Sequence, residues 1–483
     1  MNTKQTAVGL QVTTIGSALV FGALVLGLEA AETKSGQVAA PAAESAVKPG
    51  AKVSEPAAGA VRQAPGVEKA SPATVGDGAA PAAEPKSSDP GVGGGSPPFP
   101  ATQADVSTAN LASSADACKP CESYACADDR FWVRAEYLIW WTKGSHVPVL
   151  AATGTPNEPF TTPLFGGSTL NGDGRSGFHI TLGGWLDRCH TLGLEGDYFD
   201  LERGNDGYDS GFYPSGTVLS RPFIDMTDPN NPAPAAEITA LPGLAVGKVH
   251  VETSDYFQSA GLRLRQPLYQ SCCQVDCCTT RSTEIDLVAG YRFYRLKDRL
   301  NIHENVVAIG GPNIGLAFDI VDDFNTSNEF HGGELGLVAD VRRGRWSLGV
   351  RALAALGNSH EIVNILGRTV RTSNGVEETD AGGLFALRSN IGHYTRNHFA
   401  VLPELGMEIG YQWTCHLRTY VGYDILYWGD VVRASEQIDP RIDTNNLPFP
   451  PPDAPAGGPF PAVLFRETSY WAQGIRVGAE LRF

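Results

Sequence analysis

The carboxy-terminal run Trp471–Phe483 sets the strongest limit on what this chain can fold into. Trp471, Gln473, Ile475, Val477, Ala479, Leu481 and Phe483 fall on alternate positions, with Arg476, Glu480 and Arg482 between them. Polarity that repeats every second residue marks a strand with two unlike faces. The pattern recurs along the chain from Phe131 onward. Phe131, Val133, Ala135, Tyr137, Ile139 and Trp141 alternate with Arg134 and Glu136; Leu262 and Leu264 with Arg263 and Arg265; Leu335, Leu337, Ala339 and Val341 with Glu334 and Asp340. Similar runs begin near Phe178, Leu192, Ile285, Trp346, Phe399 and Leu417.

Alternation alone fits two architectures. In a soluble sandwich the apolar face is the core; in a transmembrane barrel it meets lipid and the charges line the lumen. The connections discriminate. Trp185–His190, Arg342–Arg345 and Trp413–His416 are tight turns, whereas about 144–175, 204–248, 371–393 and 429–465 are long segments rich in Pro, Gly, Asn and Asp, expected to be loops rather than elements. Short turns at one end and long loops at the other are the asymmetry of an outer-membrane barrel. The fold class is therefore all-β, an antiparallel transmembrane β-barrel over 131–483. Ten strands put every tight turn on one side; twelve is the alternative, with breaks at Lys297-Asp298 and near Asn358.

The residues ahead of the barrel divide in three. Residues 1–31 read as a cleaved signal peptide: Lys4, an apolar run from Ile15 to Leu28, then Glu29-Ala30-Ala31. Residues 32–117, dominated by Ala, Pro, Gly, Ser, Val and Glu, lack the apolar content to offset ordering entropy and are expected to be a disordered periplasmic linker, with the cell wall or a periplasmic protein as a partner. Residues 118–130 form a cysteine-containing lead-in.

With this orientation the inward set is Arg134, Arg263, Arg265, Arg292, Arg351 and Arg476 against Glu136, Glu195, Asp197, Asp286, Glu334, Asp340, Glu404, Glu408, Asp424 and Glu480. Ten strands lie near the closed end of the barrel size range, so a salt-bridged, plugged interior competes with a narrow channel. If the lumen conducts, the acidic excess favours cations. Cys118, Cys121, Cys126, Cys189, Cys272, Cys273, Cys277, Cys278 and Cys415 all fall on the short-turn side in the ten-strand arrangement. In an oxidising compartment disulfides are the expected use, with a metal held by Cys118-x-x-Cys121 as the alternative. No cofactor is expected. The net charge of -16 argues against nucleic acid as a partner. Neither G-x-S-x-G nor H-E-x-x-H occurs, and Asp322, Asp323, His331, His360 and Glu361 have no diagnostic spacing, so an enzyme is the least favoured reading.

Several stretches carry a family likeness: Arg130-Phe131-Trp132-Val133-Arg134-Ala135-Glu136-Tyr137-Leu138 with Trp140-Trp141, Gly290-Tyr291-Arg292-Phe293, Phe324 to Gly333, Phe399 to Gly406, and Val421 to Trp428. On these the chain resembles the planctomycete outer-membrane barrel family known as beta-barrel porin seven, from Phe131 to Phe483. The resemblance implies a pore and transfers no catalytic or binding residues. The expected function is thus a porin-like outer-membrane barrel, a narrow channel for small solutes, with a plugged envelope-anchoring barrel as the alternative. Its expected partners are outer-membrane lipid and the barrel-insertion machinery, which recognises terminal strands like the one ending at Phe483.

Overall fold

The computed structural model describes residues 119–120 and 130–483, apart from 156, 213–217 and 277–278. The expected signal peptide and linker, and Cys118, Cys121, Cys126, Cys277 and Cys278, lie outside the described residues.

Ten antiparallel strands close into a ring. They are β1 (Phe131–Thr142), β2 (Gly174–Trp185), β3 (Gly193–Leu201), β4 (Ala245–Asp276), β5 (Thr279–Ala308), β6 (Ala317–Gly344), β7 (Trp346–Ser373), β8 (Gly392–Gln412), β9 (Leu417–Val432) and β10 (Glu467–Arg482). Each strand pairs with its neighbours in sequence, and β10 pairs with β1 to close the circuit. Partner follows partner from Thr142 through Ala472, Leu426, Glu404, Leu353, Gly336, Val288, Arg265, Gly193 and Trp185 to Arg130, twelve residues below the start. That stagger tilts the strands against the barrel axis, as closure requires. β5 and β7 run unbroken through Lys297-Asp298 and Asn358, so the ten-strand arrangement holds.

The tight connections sit at one end of the ring. In the β2–β3 turn the Asp187 carboxylate accepts the N–H groups of Cys189, Thr191 and Leu192 at 2.8–3.0 Å. At the other end the long connections depart from expectation. They hold strands of their own: Ala233–Ala240, Leu219–Asp225, Ala151–Thr155 and Glu158–Phe165 form a second sheet, with Arg441–Ile442 added in parallel. Their prolines mask a strand signal in sequence because Pro lacks a ladder donor.

The polarity of the two barrel faces reverses along the strands. Near the short turns Leu262 is 54% exposed on the outside, while Arg263 beside it is 7% exposed on the inside. On β7 the apolar outer positions run from Trp346 to Leu356, the length a tilted strand needs to cross a bilayer, about 9–11 residues. Aromatic rings border this band at the short-turn end, with Trp346, Tyr411 and Trp413 in edge contact and Phe131 near Phe483. Farther along, the outward positions of β5 become Arg295, Lys297 and Arg299, while the inward Leu296, Leu300 and Ile302 are wholly buried. The register does not slip; only the chemistry of the two faces exchanges.

One interruption breaks the ring. β8 and β9 pair from Gln412↔Arg418 only as far as Glu404↔Leu426. The Trp413 N–H donates to the Leu417 carbonyl, and the Gln412 N–H to the Arg345 carbonyl. Odd-numbered backbone groups of β8 therefore face β9, and even-numbered ones face β7. Pro403 is the next odd position, it has no N–H to give, and the ladder ends there. From Pro403 to Gly392, β8 keeps only its pairing with β7.

Candidate functional site

The lumen is the site that the strands build. Nearest the short turns, arginines and carboxylates from every wall interlock. Arg134 reaches Glu408 at 2.7 Å and Glu136 at 3.2 Å, and its Nε–H donates to the Tyr420 hydroxyl, which donates in turn to Glu136 at 2.7 Å. Arg476 bridges Asp424 at 2.6 Å and Glu408 at 2.7 Å. Arg292 joins Asp197 and Glu334, both at 2.6 Å. Arg263 pairs with Glu195 and lies 3.1 Å from Glu334; Arg265 pairs with Asp286 at 2.6 Å and Glu195 at 3.3 Å. Arg351 spans Glu404 at 3.0 Å and Asp424 at 3.1 Å. The sixteen charges of the expected inward set thus stand on one inner surface, Asp340 and Glu480 among them through the pairs described next.

Four residues of this layer lie outside the expected inward set. Arg418 pairs with Glu408 at 2.8 Å and Glu480 at 3.3 Å, Arg342 with Asp340 at 2.6 Å, and Arg482 with Glu480 at 2.5 Å. His179 sits between Glu136 and Asp197. Arg418 and His179 lie on the inward parity of their strands, so the signal was present. The three added arginines offset most of the acidic excess of the expected inward set. Glycines also shape the layer: a Cβ on Gly261 would lie 2.8 Å from the Arg292 guanidinium, and one on Gly406 would collide with Asp424. The bare backbone leaves room for guanidinium groups to lie flat across neighbouring strands.

Above the charges comes an apolar layer. Leu138, Trp140, Phe199, Phe257, Tyr294, Phe330, Trp428 and Tyr470 are buried side by side, with ring centroids 5.1–6.3 Å apart. The gap between Trp140, Phe199, Arg263, Arg292 and Glu404 is about 10 Å³, the lower limit for one water molecule.

In the third layer, segments from the long connections enter the barrel. Val147, Leu150, Leu219, Phe223, Leu384, Phe385, Ile438 and Ile442 pack on Val249, Leu300, Ile302, Phe324, Val363 and Ile365. Buried polar groups pin them. Arg221 reaches Glu304 at 2.9 Å and Asp322 at 2.6 Å, and Asp322 also accepts the N–H groups of Leu384, Phe385 and Ala386 at 2.8–3.0 Å. Arg433 pairs with Asp298 at 2.7 Å. Asn328 on β6 both donates to and accepts from the backbone of Val432, at 2.8 Å each way. Such groups are tolerated in an apolar interior because each finds a partner.

The remaining candidates are dispersed. Asp323 faces outward with Arg299, His331 bonds the Tyr291 hydroxyl on the outer wall, and His360 bonds Asn397. Asp322 and Glu361 are buried on the inner face. Cys189 is exposed in the β2–β3 turn and Cys415 half-buried in the β8–β9 turn. The backbone of Cys272 and Cys273 lies at the same end of β4, where Lys119–Pro120 pairs with Gln274 and Cys273.

A family model described as Putative beta barrel porin-7 (BBP7) matches residues 132–483. A search of curated protein sequences finds no match. Among solved structures, the outer membrane protease OmpT from Escherichia coli matches at 10% identity, covering 74% of this chain and 97% of that one, with a TM-score of 0.34. The P. putida toluene transporter TodX matches at 9% identity over 74% of this chain and 91% of its own, with a TM-score of 0.15. At such scores these likenesses carry no functional argument.

Proposed function

We propose, since this chain belongs to the beta barrel porin-7 family and is an outer-membrane β-barrel protein, that it is a plugged barrel serving as an envelope anchor and surface platform. The observation that carries this reading is the continuous filling of the lumen. A paired charge network, a layer of aromatic rings and an inserted loop core follow one another along the axis. An aqueous channel needs a polar, water-filled path, and the aromatic layer interrupts it. The expectation of a solute channel gives way here to the plugged alternative. No catalytic role is assigned: the polar groups considered for one point to different faces of the wall.

In this proposal the short-turn end, with the cysteines and the segment preceding the barrel, faces the periplasm, and the long-loop end projects from the cell. Outer-membrane lipid surrounds the apolar band, and the terminal strand ending at Phe483 is what the insertion machinery engages. Planar-bilayer recording and liposome swelling with purified protein test the reading. The expected outcome is no channel events and no sugar uptake; steady single-channel conductance from the unmodified protein would establish the porin reading instead. Protease treatment of intact cells tests the orientation, with cleavage expected in the long connections and none in the short turns.

A further inference from the structure

Where β8 parts from β9, a polar cluster occupies the gap. Glu361 comes from β7, His398 from β8 and Glu467 from β10, and one potential ligand atom from each lies within 4.8 Å of the other two. The Glu361 side chain is wholly buried. One of its oxygens accepts from Arg396 Nε at 3.1 Å, while Oε1 has no hydrogen-bond partner. Both ring nitrogens of His398 are likewise shielded from solvent without a partner. A buried carboxylate oxygen and shielded imidazole nitrogens without a hydrogen bond are costly unless something fills the space between them; the shortest approach is His398 Nδ1 to Glu361 at 3.8 Å. Arg396 pairs with both Glu361 and Glu467, and Asp430 acts electrostatically on Glu361 and His398. Three carboxylates against one guanidinium leave the cluster negative when His398 is neutral.

We propose that Glu361, His398 and Glu467 bind a divalent transition metal of the zinc class, joining β7 and β8 to β10 beside the gap that opens at Pro403. One imidazole and two carboxylates make a donor set suited to zinc, with bonds of about 2.0–2.2 Å and a fourth position for water. Calcium asks for six to eight oxygens, and the imidazole points away from it and from magnesium. Small side-chain rotations bring the three ligands to bonding distance, because they already converge. The metal would link β7 and β8 to β10, which is itself paired with β9 through Val432 and Glu467, and so span the gap where the β8–β9 ladder stops. This site does not depend on whether the barrel conducts.

The test uses the full-length folded protein in detergent, its thiols alkylated so that cysteine cannot take up metal, and its own metal stripped by chelator. Zinc chloride is the probe, and bound metal is counted by elemental analysis after equilibrium dialysis. One equivalent is expected, with affinity falling at least tenfold in His398→Gln and in Glu361→Gln, and zinc raising the unfolding temperature of the unmodified protein but of neither variant. Heat-modifiable gel mobility identifies variants that remain folded. Should a variant fail to fold, cobalt(II) in the unmodified protein decides, with a four- or five-coordinate nitrogen–oxygen spectrum expected. No uptake of zinc, uptake unchanged in both variants, preference for calcium, or a six-coordinate cobalt spectrum would overturn the assignment.

Discussion

The two halves of this barrel use the same strands to solve opposite solvation problems. Near the short turns the outer wall is Leu, Ile, Val and aromatic side chains, and the interior is arginine and carboxylate. Toward the long connections the outer wall carries Arg295, Lys297 and Arg299, and the interior is Leu300, Ile302, Phe324 and Ile365. The hydrogen-bonded ladder is indifferent to this exchange, because backbone pairing satisfies itself in lipid and in water alike. Side chains carry the whole of the difference. In the lower half, lipid offers no hydrophobic drive for the strands to exclude water inward, so the interior is held by charge pairing. In the upper half ordinary burial resumes, and the loops supply the apolar surface to bury.

Breaking the lower network should give the largest effect. Arg476→Ala leaves Asp424 and Glu408 short of a buried partner, at a cost of about 3–5 kcal/mol; urea titration of the heat-modifiable folded form checks it. Arg299→Ala, an exposed pair on the upper wall, should move the same midpoint by no more than about 1 kcal/mol. Next comes a matched pair on the outer face. Leu264→Arg in the apolar band should cost about 2–4 kcal/mol, while Asn301→Arg on the same outer wall above it should stay within about 0.5 kcal/mol. Equal effects in both would mean that the two halves meet the same solvent. Asn328→Ala removes the double hydrogen bond to Val432 and should loosen the inserted loop by about 1–3 kcal/mol, detected as faster proteolysis within 433–466.

The smallest effect concerns pH. Burial, reinforced by the neighbouring Glu304, holds the Glu237 carboxyl well above the usual carboxylate range. The folded protein therefore keeps that proton more tightly than the unfolded chain does. The resulting stability is complete below the ordinary glutamate value of about 4.3 and is lost as pH rises through the raised folded value. Glu237→Gln should flatten that decline in a pH series of thermal unfolding; an unaltered slope would remove Glu237 from the account.

Much of the barrel was legible in the chain because alternation and turn residues are local. The ten strands, their tight turns and the inward parity of Arg134 or Glu480 needed no long-range information. The reversal of the faces was legible too, though easily mistaken. Lys297-Asp298 reads as a strand break because Arg295, Lys297 and Arg299 take over the parity of Tyr291 and Phe293, while the strand continues. The aromatic layer was hidden by neighbours such as Trp140 and Trp141, one facing in and the other out. The hairpin of Leu219–Asp225 and Ala233–Ala240 was hidden by its prolines. The Glu361, His398 and Glu467 cluster has no sequence signature at all, since its members are far apart in the chain and meet only where β8 parts from β9 in the folded sheet.

The reversal of polarity also fixes the height at which the barrel rides. Sinking it by one residue pair toward the short-turn side would carry Arg295 and its neighbours on adjoining strands into hydrocarbon, and charges there cost up to about 2–4 kcal/mol each. Raising it would strip lipid from the leucines of the lower wall and expose them to water. Both displacements are opposed on every long strand at once. The molecule therefore has a waterline, and a bilayer of another thickness would have to bend toward the protein rather than the protein shift within it.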